Sequence, residues 1–458
     1  MKLLTVALTI VATSALAAPP GLRLPDYESE TLASGAQILV VPHREVPLVS
    51  YSLLLRGGTL TDPPGKEGLT ALTVELLRKG AGDRSATDIA SLLDSYGMSL
   101  NTNADLTGTA IALDCLAADA PLALAVLTDL VLRPTFPKDE VDKLKTRVID
   151  GLKAAKEQPQ SVIPLYFARA LFGDHAYGRP TTGTEATVAS ITADDVAAHW
   201  KQLLAGDRLI AAIGGDVPEG AGKSLAAGFG GIARGATPVP NPAPAPRATT
   251  RRVLLVDMPD AVQTYFWIGD VGISQSFSAD AAFDVVRTAF GGRFTSMLNT
   301  ELRIKTGLTY GARLTLEQLE GPGRLAITSF TATEKTKEAL DLALATLAAL
   351  KTKYLDATVV SSSKAYIAGQ VPTTLETAHA MTQAIVDLHR FGQPKSQLTE
   401  YFTRLDAVTP ATTRAVIDSD FPDPSRVVIV LIGKASEIAA IAATYGPVET
   451  KTLADPGF

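Results

Sequence analysis

Two blocks of the chain carry the same order of apolar and polar positions. In the first, the run Ile38-Leu39-Val40-Val41 breaks through His43-Arg44-Glu45-Val46-Pro47 and resumes from Val49 to Leu55. In the second, Val253-Leu254-Leu255-Val256 breaks through Met258-Pro259-Asp260 and resumes from Val262 to Ile268. Short apolar runs bounded by such punctuation predict strand, turn, strand, an opening hairpin in each case. A closing strand ending in glycine also occurs twice, from Arg208 to Gly214 and from Arg426 to Gly433. The helical pattern at 141–156 has its counterpart at 359–374. From Ile38 to Val253 and from Arg208 to Arg426 the offset stays at about 215–218 residues. An offset that steady indicates a duplicated unit.

Within each unit the order is strand pair, helices, strand pair, helices, last strand. In the first, 85–95 reads as a helix opened by a Ser or Thr cap. Residues 100–116 read as two strands, and 120–132 and 138–156 as amphipathic helices. Strand pairs mixed with separate helices predict an α+β fold of two tandem homologous domains, each a mostly antiparallel sheet with helices packed on it. The alternating prolines between Gly235 and Pro246 remove backbone donors and favour an extended connector. The expected boundaries are 22–234 for the first domain, 235–250 for the linker and 251–458 for the second.

The N-terminus is different. Met1-Lys2 opens an apolar run broken by Thr5 and Thr9, and Ala15-Leu16-Ala17 gives small residues at a cleavage site. This reads as a secretory signal peptide over residues 1–17, which places the mature chain in the periplasm, secretion being the alternative. The run is too short for a membrane span, and no later stretch is long and apolar enough. Of 458 residues, 46% are hydrophobic and the net charge is −6, which excludes a basic nucleic-acid footprint. The single cysteine, Cys115, has no partner for an internal disulfide and sits in an alternating run as a small hydrophobe.

Candidate chemistry is sparse. The five histidines are His43, His175, His199, His379 and His389, and no two lie within five residues. H-E-x-x-H, H-x-x-E-H and the two-histidine zinc patterns are therefore absent, and each histidine reads as a turn or surface residue. G-x-S-x-G, the P-loop and a strand-to-helix G-x-G-x-x-G are absent too. Asp194-Asp195 suits the N-terminal turn of a helix. Two segments are more specific. One runs from Gly65-Lys66-Glu67-Gly68-Leu69 through Ala71, Val74 and Glu75 to Gly80. The other runs from Gly291-Gly292-Arg293-Phe294 through Arg303 to Tyr310-Gly311.

On these segments, with Arg56-Gly57-Gly58, the 172–178 loop and Asp216-Val217, the chain resembles the pitrilysin/insulinase family of zinc metallopeptidases, in its bacterial processing-peptidase-like branch. The resemblance implies that the helix after Gly68 occupies the place of an H-x-x-E-H helix. Aligned on Gly68, the first histidine is Ala71, the catalytic glutamate Val74 and the second histidine Glu75. The downstream ligand region, 148–152, offers only Asp150. In two-chain members a second subunit supplies an Arg and a Tyr seven residues apart, matched here by Arg303 and Tyr310. The resemblance thus implies a non-zinc subunit. It binds no cofactor itself, and the zinc belongs to a homologous partner carrying H-x-x-E-H. The substrate is a peptide, added as a strand to a sheet edge of that partner. Arg303 and Tyr310 are the expected catalytic pair, stabilising charge on the scissile carbonyl oxygen. The alternative is an inactive structural or peptide-binding member, a kind the family also contains. A third reading, a metal site built from scattered residues, makes bound zinc its test. The helix 295–305 is expected to stop near Gly307, with Leu308-Thr309-Tyr310 turning into a strand. Leu69, Leu72 and Leu76 are expected to face inward.

Overall fold

The computed structural model describes residues 23–455, so the segment read as a signal peptide lies outside the described residues. The fold is α+β, built on two six-stranded sheets. The first contains β1 (Glu28–Thr31), β2 (Gln37–Pro42), β3 (Leu48–Arg56), β4 (Ser99–Ala104), β5 (Gly108–Leu116) and β6 (Leu209–Gly215). Their order across the sheet is β1-β2-β6-β3-β5-β4. The second contains β7 (Arg252–Asp257), β8 (Gln263–Val271), β9 (Arg313–Glu317), β10 (Arg324–Ala332), β11 (Val428–Gly433) and β12 (Val448–Thr452). Its order is β12-β7-β11-β8-β10-β9. Five strands correspond one to one, as the repeat predicted. Most neighbours are antiparallel, but β2–β6, β7–β11 and β7–β12 are parallel.

The opening hairpin is not a hairpin. β2 and β3 follow each other in sequence but do not pair, because β6 lies between them, parallel to β2 and antiparallel to β3. β11 lies between β7 and β8 in the same way. The closing strands are buried along their whole length. Strands so apolar are accommodated at the centre of a sheet, where both edges find hydrogen-bond partners and both faces are covered.

The first-half helices include α1 (Leu69–Leu76), α2 (Ala86–Ser95), α3 (Ala120–Leu132), α4 (Lys138–Lys156), α5 (Pro159–Phe172) and α6 (Ala193–Leu203). α2 opens on a Ser85 capping box, and α6 on one between Thr192 and Asp195. The second half has α7 (Asp280–Arg287), α8 (Thr336–Lys353), α9 (Ala357–Gln370) and α10 (Ala378–Arg390). On one face of the first sheet, Val49, Tyr51, Leu53, Ile111 and Leu113 pack under this half's own helices. Cys115 belongs to that core, and burial pushes its thiol up to about 12.

The other face of each sheet is covered from the opposite half. Leu39, Val41, Leu54, Ile210 and Ala212 of the first sheet pack against Met381, Ile385, Val386 and Leu388 of α10. Reciprocally, Val162, Ile163, Tyr166 and Phe167 of α5 pack on Leu254, Val256, Val428, Val430 and Ile432 of the second sheet. The alternation of side chains along a strand gives each sheet two apolar faces, and the exchange buries both. At Gly214 the approach is so close that a Cβ would lie 1.8 Å from Thr382 Oγ1.

Polar contacts fix the exchanged helices. The Arg390 guanidinium donates to Asp105 Oδ1 and Oδ2 at 2.7 and 2.9 Å, and Ser52 Oγ donates to Gln383 Oε1 at 2.9 Å. On the other side, Arg324 donates to the Pro164 carbonyl at 2.6 Å. His379 and His389 both lie on α10 and are not free surface groups. His379 Nδ1 is 3.1 Å from Asp114 Oδ1 and 3.0 Å from Ser50 Oγ, and His389 Nδ1 is 3.0 Å from Gln37 Oε1. His199 departs further from the surface reading, for it is buried on α6.

Candidate functional site

The helix expected at the zinc-motif position, α1, is built for packing. Leu69, Leu72 and Leu76 are buried as their spacing predicted, and Val74 is only 1% exposed. Gly68 carries no side chain to cap α1, so Asp62 does so instead, accepting from Gly68 N at 2.9 Å and Thr70 N at 2.8 Å. Thr70 Oγ1 also lies 2.8 Å from His199 Nε2. Burial pushes the Asp62 carboxyl up to about 6 against these hydrogen bonds. Burial, with Arg208 nearby, pushes the His199 imidazole down to about 4. At neutral pH His199 is therefore uncharged while Asp62 stays mostly ionised, its charge met by the donors of Gly68, Thr70 N and Thr70 Oγ1, and the network anchors the helix.

These residues do not fit a zinc ion. Ala71 and Val74 carry no ligand atom. The Glu75 carboxylate is taken by the Arg147 guanidinium of α4, in direct ion-pair contact. Asp150 is exposed and joins neither. A guanidinium thus stands against the one carboxylate left at the motif, supplying the positive charge that it needs. Among the described residues, no cluster of three or more His, Cys, Asp or Glu side chains could hold a metal.

The second segment forms a cavity of about 770 Å³. Its walls come from β8, β9, β10 and the 291–312 segment, with Arg287 of α7, Tyr366 of α9 and Gln160 and Ile163 of the exchanged helix α5 completing them. Arg303 and Tyr310 both line it, and neither Ala71, Val74 nor Glu75 does. The structure thus brings Arg303 and Tyr310 together and leaves Ala71, Val74 and Glu75 outside.

The local route to this arrangement differs from the expected α-helix and strand. Met297–Asn299 is a short α-helical turn, and Thr300–Lys305, which contains Arg303, is π-helical. Such wide turns recur at functional sites. The chain does stop at Gly307, which takes φ +67°, a conformation few other residues tolerate. β9 begins at Arg313, so Tyr310 lies in the preceding loop rather than at the strand start.

That loop is tied down on several sides. Ser329 Oγ donates to the Gly311 carbonyl at 2.9 Å and to Thr309 Oγ1 at 3.0 Å. Thr331 Oγ1 donates to the Leu308 carbonyl at 2.7 Å, and Asn299 Oδ1 accepts from Ala312 N at 3.1 Å. The backbone on both sides of Tyr310 is fixed, yet the side chain is 77% exposed. Sequence reasoning missed Asn299, Thr309, Ser329 and Thr331. They are distant in sequence or of a type common in strands, and no local pattern marks them.

The Arg303 guanidinium carbon lies 4.5 Å from the Tyr310 ring centroid and 4.8 Å from that of Phe294. Stacking on ring faces orients the planar group and leaves its in-plane N–H donors available. No ion pair or hydrogen bond to another side chain engages Arg303 or the Tyr310 hydroxyl among the described residues. The arrangement presents a cationic and a neutral donor side by side in one cavity. It can neutralise or polarise a carbonyl or carboxylate oxygen.

Comparison with known proteins matches the family model for insulinase (peptidase family M16) at residues 39–185 and that for the peptidase M16 inactive domain at 190–366. An uncharacterized zinc protease of Streptomyces coelicolor is 24% identical over 392 residues, which span 84% of this chain and 85% of the relative. A crystal structure of a peptidase M16 inactive domain from Pseudomonas fluorescens superposes with a TM-score of 0.83 at 22% identity, covering 89% of this chain and 98% of the other. The periplasmic protease PqqL from Escherichia coli superposes with a TM-score of 0.76 at 16% identity. That match covers 94% of this chain but 48% of PqqL.

Proposed function

We propose, from the premise that the chain belongs to the insulinase (peptidase M16) family, that it is the zinc-free, peptide-holding half of a two-chain metalloendopeptidase. Arg303 and Tyr310 direct their donors at the carbonyl oxygen of a bound peptide. The observation that carries this reading is the Arg303 guanidinium, stacked on Tyr310 in an open cavity and without a carboxylate partner. Donors aimed where negative charge develops stabilise the transition state more than the ground state. The chain's own motif positions hold Ala71, Val74 and an ion-paired Glu75. Bond cleavage therefore belongs to a homologous partner carrying H-x-x-E-H, and the zinc is that partner's.

Pairing is supported by coverage. This fold fills 48% of PqqL, a chain about twice as long, so the unit occurs elsewhere as one part of a longer chain. The same neighbour is described as periplasmic, and with the apolar N-terminus it supports export. No helix of the described residues is long and apolar enough to cross a membrane.

A second reading has its own support. The family model over 190–366 describes an inactive domain, as does the Pseudomonas structure. In that reading the chain binds peptide or stabilises an assembly and accelerates nothing. One experiment separates the two. The chain is mixed with its H-x-x-E-H partner, and peptide hydrolysis is compared for wild type, Arg303→Ala and Tyr310→Phe. Loss of each donor is expected to cost about 10²–10³ in rate. An unchanged rate with either variant removes the catalytic role.

A further inference from the structure

The cavity around Arg303 has a charge opposite to that of the chain. Four arginines line it, Arg287, Arg293, Arg303 and Arg313, and no acidic side chain does. The chain as a whole carries a net charge of −6. Local compensation is incomplete. Arg287 reaches Asp284 at 3.2 Å. Arg293 donates only to the neutral Ser362 hydroxyl of α9, at 3.0 Å. Arg303 rests on aromatic rings, and Arg313 has no ion pair among the described residues. The Nε atoms of Arg287 and Arg293 are buried without a hydrogen-bond partner. Guanidinium groups that line a cavity without an acidic side chain beside them make its potential positive, and that potential attracts an anion.

The shape of the site narrows the anion. The guanidinium fork matches the two oxygens of a carboxylate. β9 ends its sheet, hydrogen-bonded on one side to β10 only, and Arg313 and Thr315 on it are exposed. An open edge of this kind accepts an extended backbone. Trp267, Phe294 and Phe330 supply apolar wall beside it.

We infer that the cavity selects a carboxylate-bearing peptide segment, its acidic group taken by Arg293 and Arg313 and the backbone beside that group laid along β9, a second sheet edge besides the one expected in the partner. This rests on the peptide-holding function and adds its substrate class. The carboxylate comes from an acidic side chain or from a free C-terminus, and the two sources share one chemistry.

The test is equilibrium binding of fluorescent peptides to the full chain. One peptide has an internal Asp or Glu and an amidated C-terminus. The second replaces the acid by Asn or Gln. The third is neutral with a free C-terminal carboxylate. Removing the carboxylate, or introducing Arg293→Gln or Arg313→Gln, is expected to weaken binding about tenfold. The preference also weakens as salt rises. The first and third peptides identify the source. Thermal unfolding of both variants checks the fold, and exposed Arg313 serves if Arg293→Gln is unstable. Equal binding of all three peptides, still weakened by Arg303→Ala, overturns the acidic preference and leaves the peptide-holding function standing. No binding of any peptide overturns both.

Discussion

Arg303 and Tyr310 face each other across 4.5 Å, measured from guanidinium carbon to ring centroid, with a glycine-capped turn between them. The turn reverses the chain at Gly307, and the loop after it is pinned through Thr309, Ser329 and Asn299. A side chain both exposed and rigidly mounted is poorly explained by packing, because packing gains little from a ring left in solvent. It is well explained by presentation to a ligand.

The mounting is therefore as testable as the pair. Ser329→Ala removes the hydroxyl that donates to the Gly311 carbonyl and Thr309. It is expected to cost about 1–3 kcal/mol in urea unfolding and to lower peptide affinity or partner-dependent hydrolysis. Tyr310→Phe is expected to leave unfolding unchanged, since the hydroxyl is exposed. If Ser329→Ala loses stability but binding and hydrolysis stay at wild-type level, the loop is structural only.

Metal removal is expected to do nothing. The Glu75–Arg147 ion pair and the absent ligand atoms at Ala71 and Val74 leave these motif positions without a zinc ligand set, and no other cluster of ligands stands among the described residues. Elemental analysis of the purified protein should find less than stoichiometric zinc, and a chelator should leave its melting temperature unaltered. One zinc per chain, lost together with stability on chelation, would reverse this reading.

The helix exchange predicts that the halves do not fold apart. A fragment of residues 23–234 keeps α5 but loses the sheet it covers, and its own sheet loses α10. Each fragment alone is expected to be aggregated or loosely packed, and co-expression of both to restore solubility. In the intact chain, Phe167→Ala is expected to cost about 3–5 kcal/mol within a single unfolding transition. A soluble 23–234 fragment with dispersed amide signals would refute the interdependence.

The clasp between α10 and the first sheet is expected to be pH-sensitive. The hydrogen bond to Asp114, against partial burial, holds the His379 imidazole above its ordinary range. Burial pushes the Asp114 carboxyl up, but His379 and Ser50 outweigh it and leave the group below its ordinary range. The raised histidine stabilises fully below its unfolded value of about 6.5 and loses that contribution as pH rises through its folded value. The lowered aspartate contributes above about 4 and loses it as pH falls. The clasp is thus strongest between those limits. Hydrogen-exchange protection factors of α10 should be higher at pH 6 than at pH 8, and His379→Gln should remove the difference. Equal protection at both values in the wild type would contradict it.

Much of this protein was legible along the chain because the relevant physics is local. Strand and helix periodicity, capping residues and the steady offset located most elements, and α4 covers the expected 138–156. The absence of an H-x-x-E-H pattern is a fact of residue identity along the chain, and needs no coordinates. Tertiary structure decided the rest. The sequence places β2 beside β3, but the long-range demand of β6 for two partners separates them. Apolar strands announce two buried faces without saying which helices cover them, and only packing sends α5 and α10 across to the opposite sheets. The spacing of Arg303 and Tyr310 allows a meeting. The π-turn, the Gly307 reversal and the Ser329 and Asn299 clamps make it happen, together with the arginine-lined cavity that no stretch of sequence contains whole.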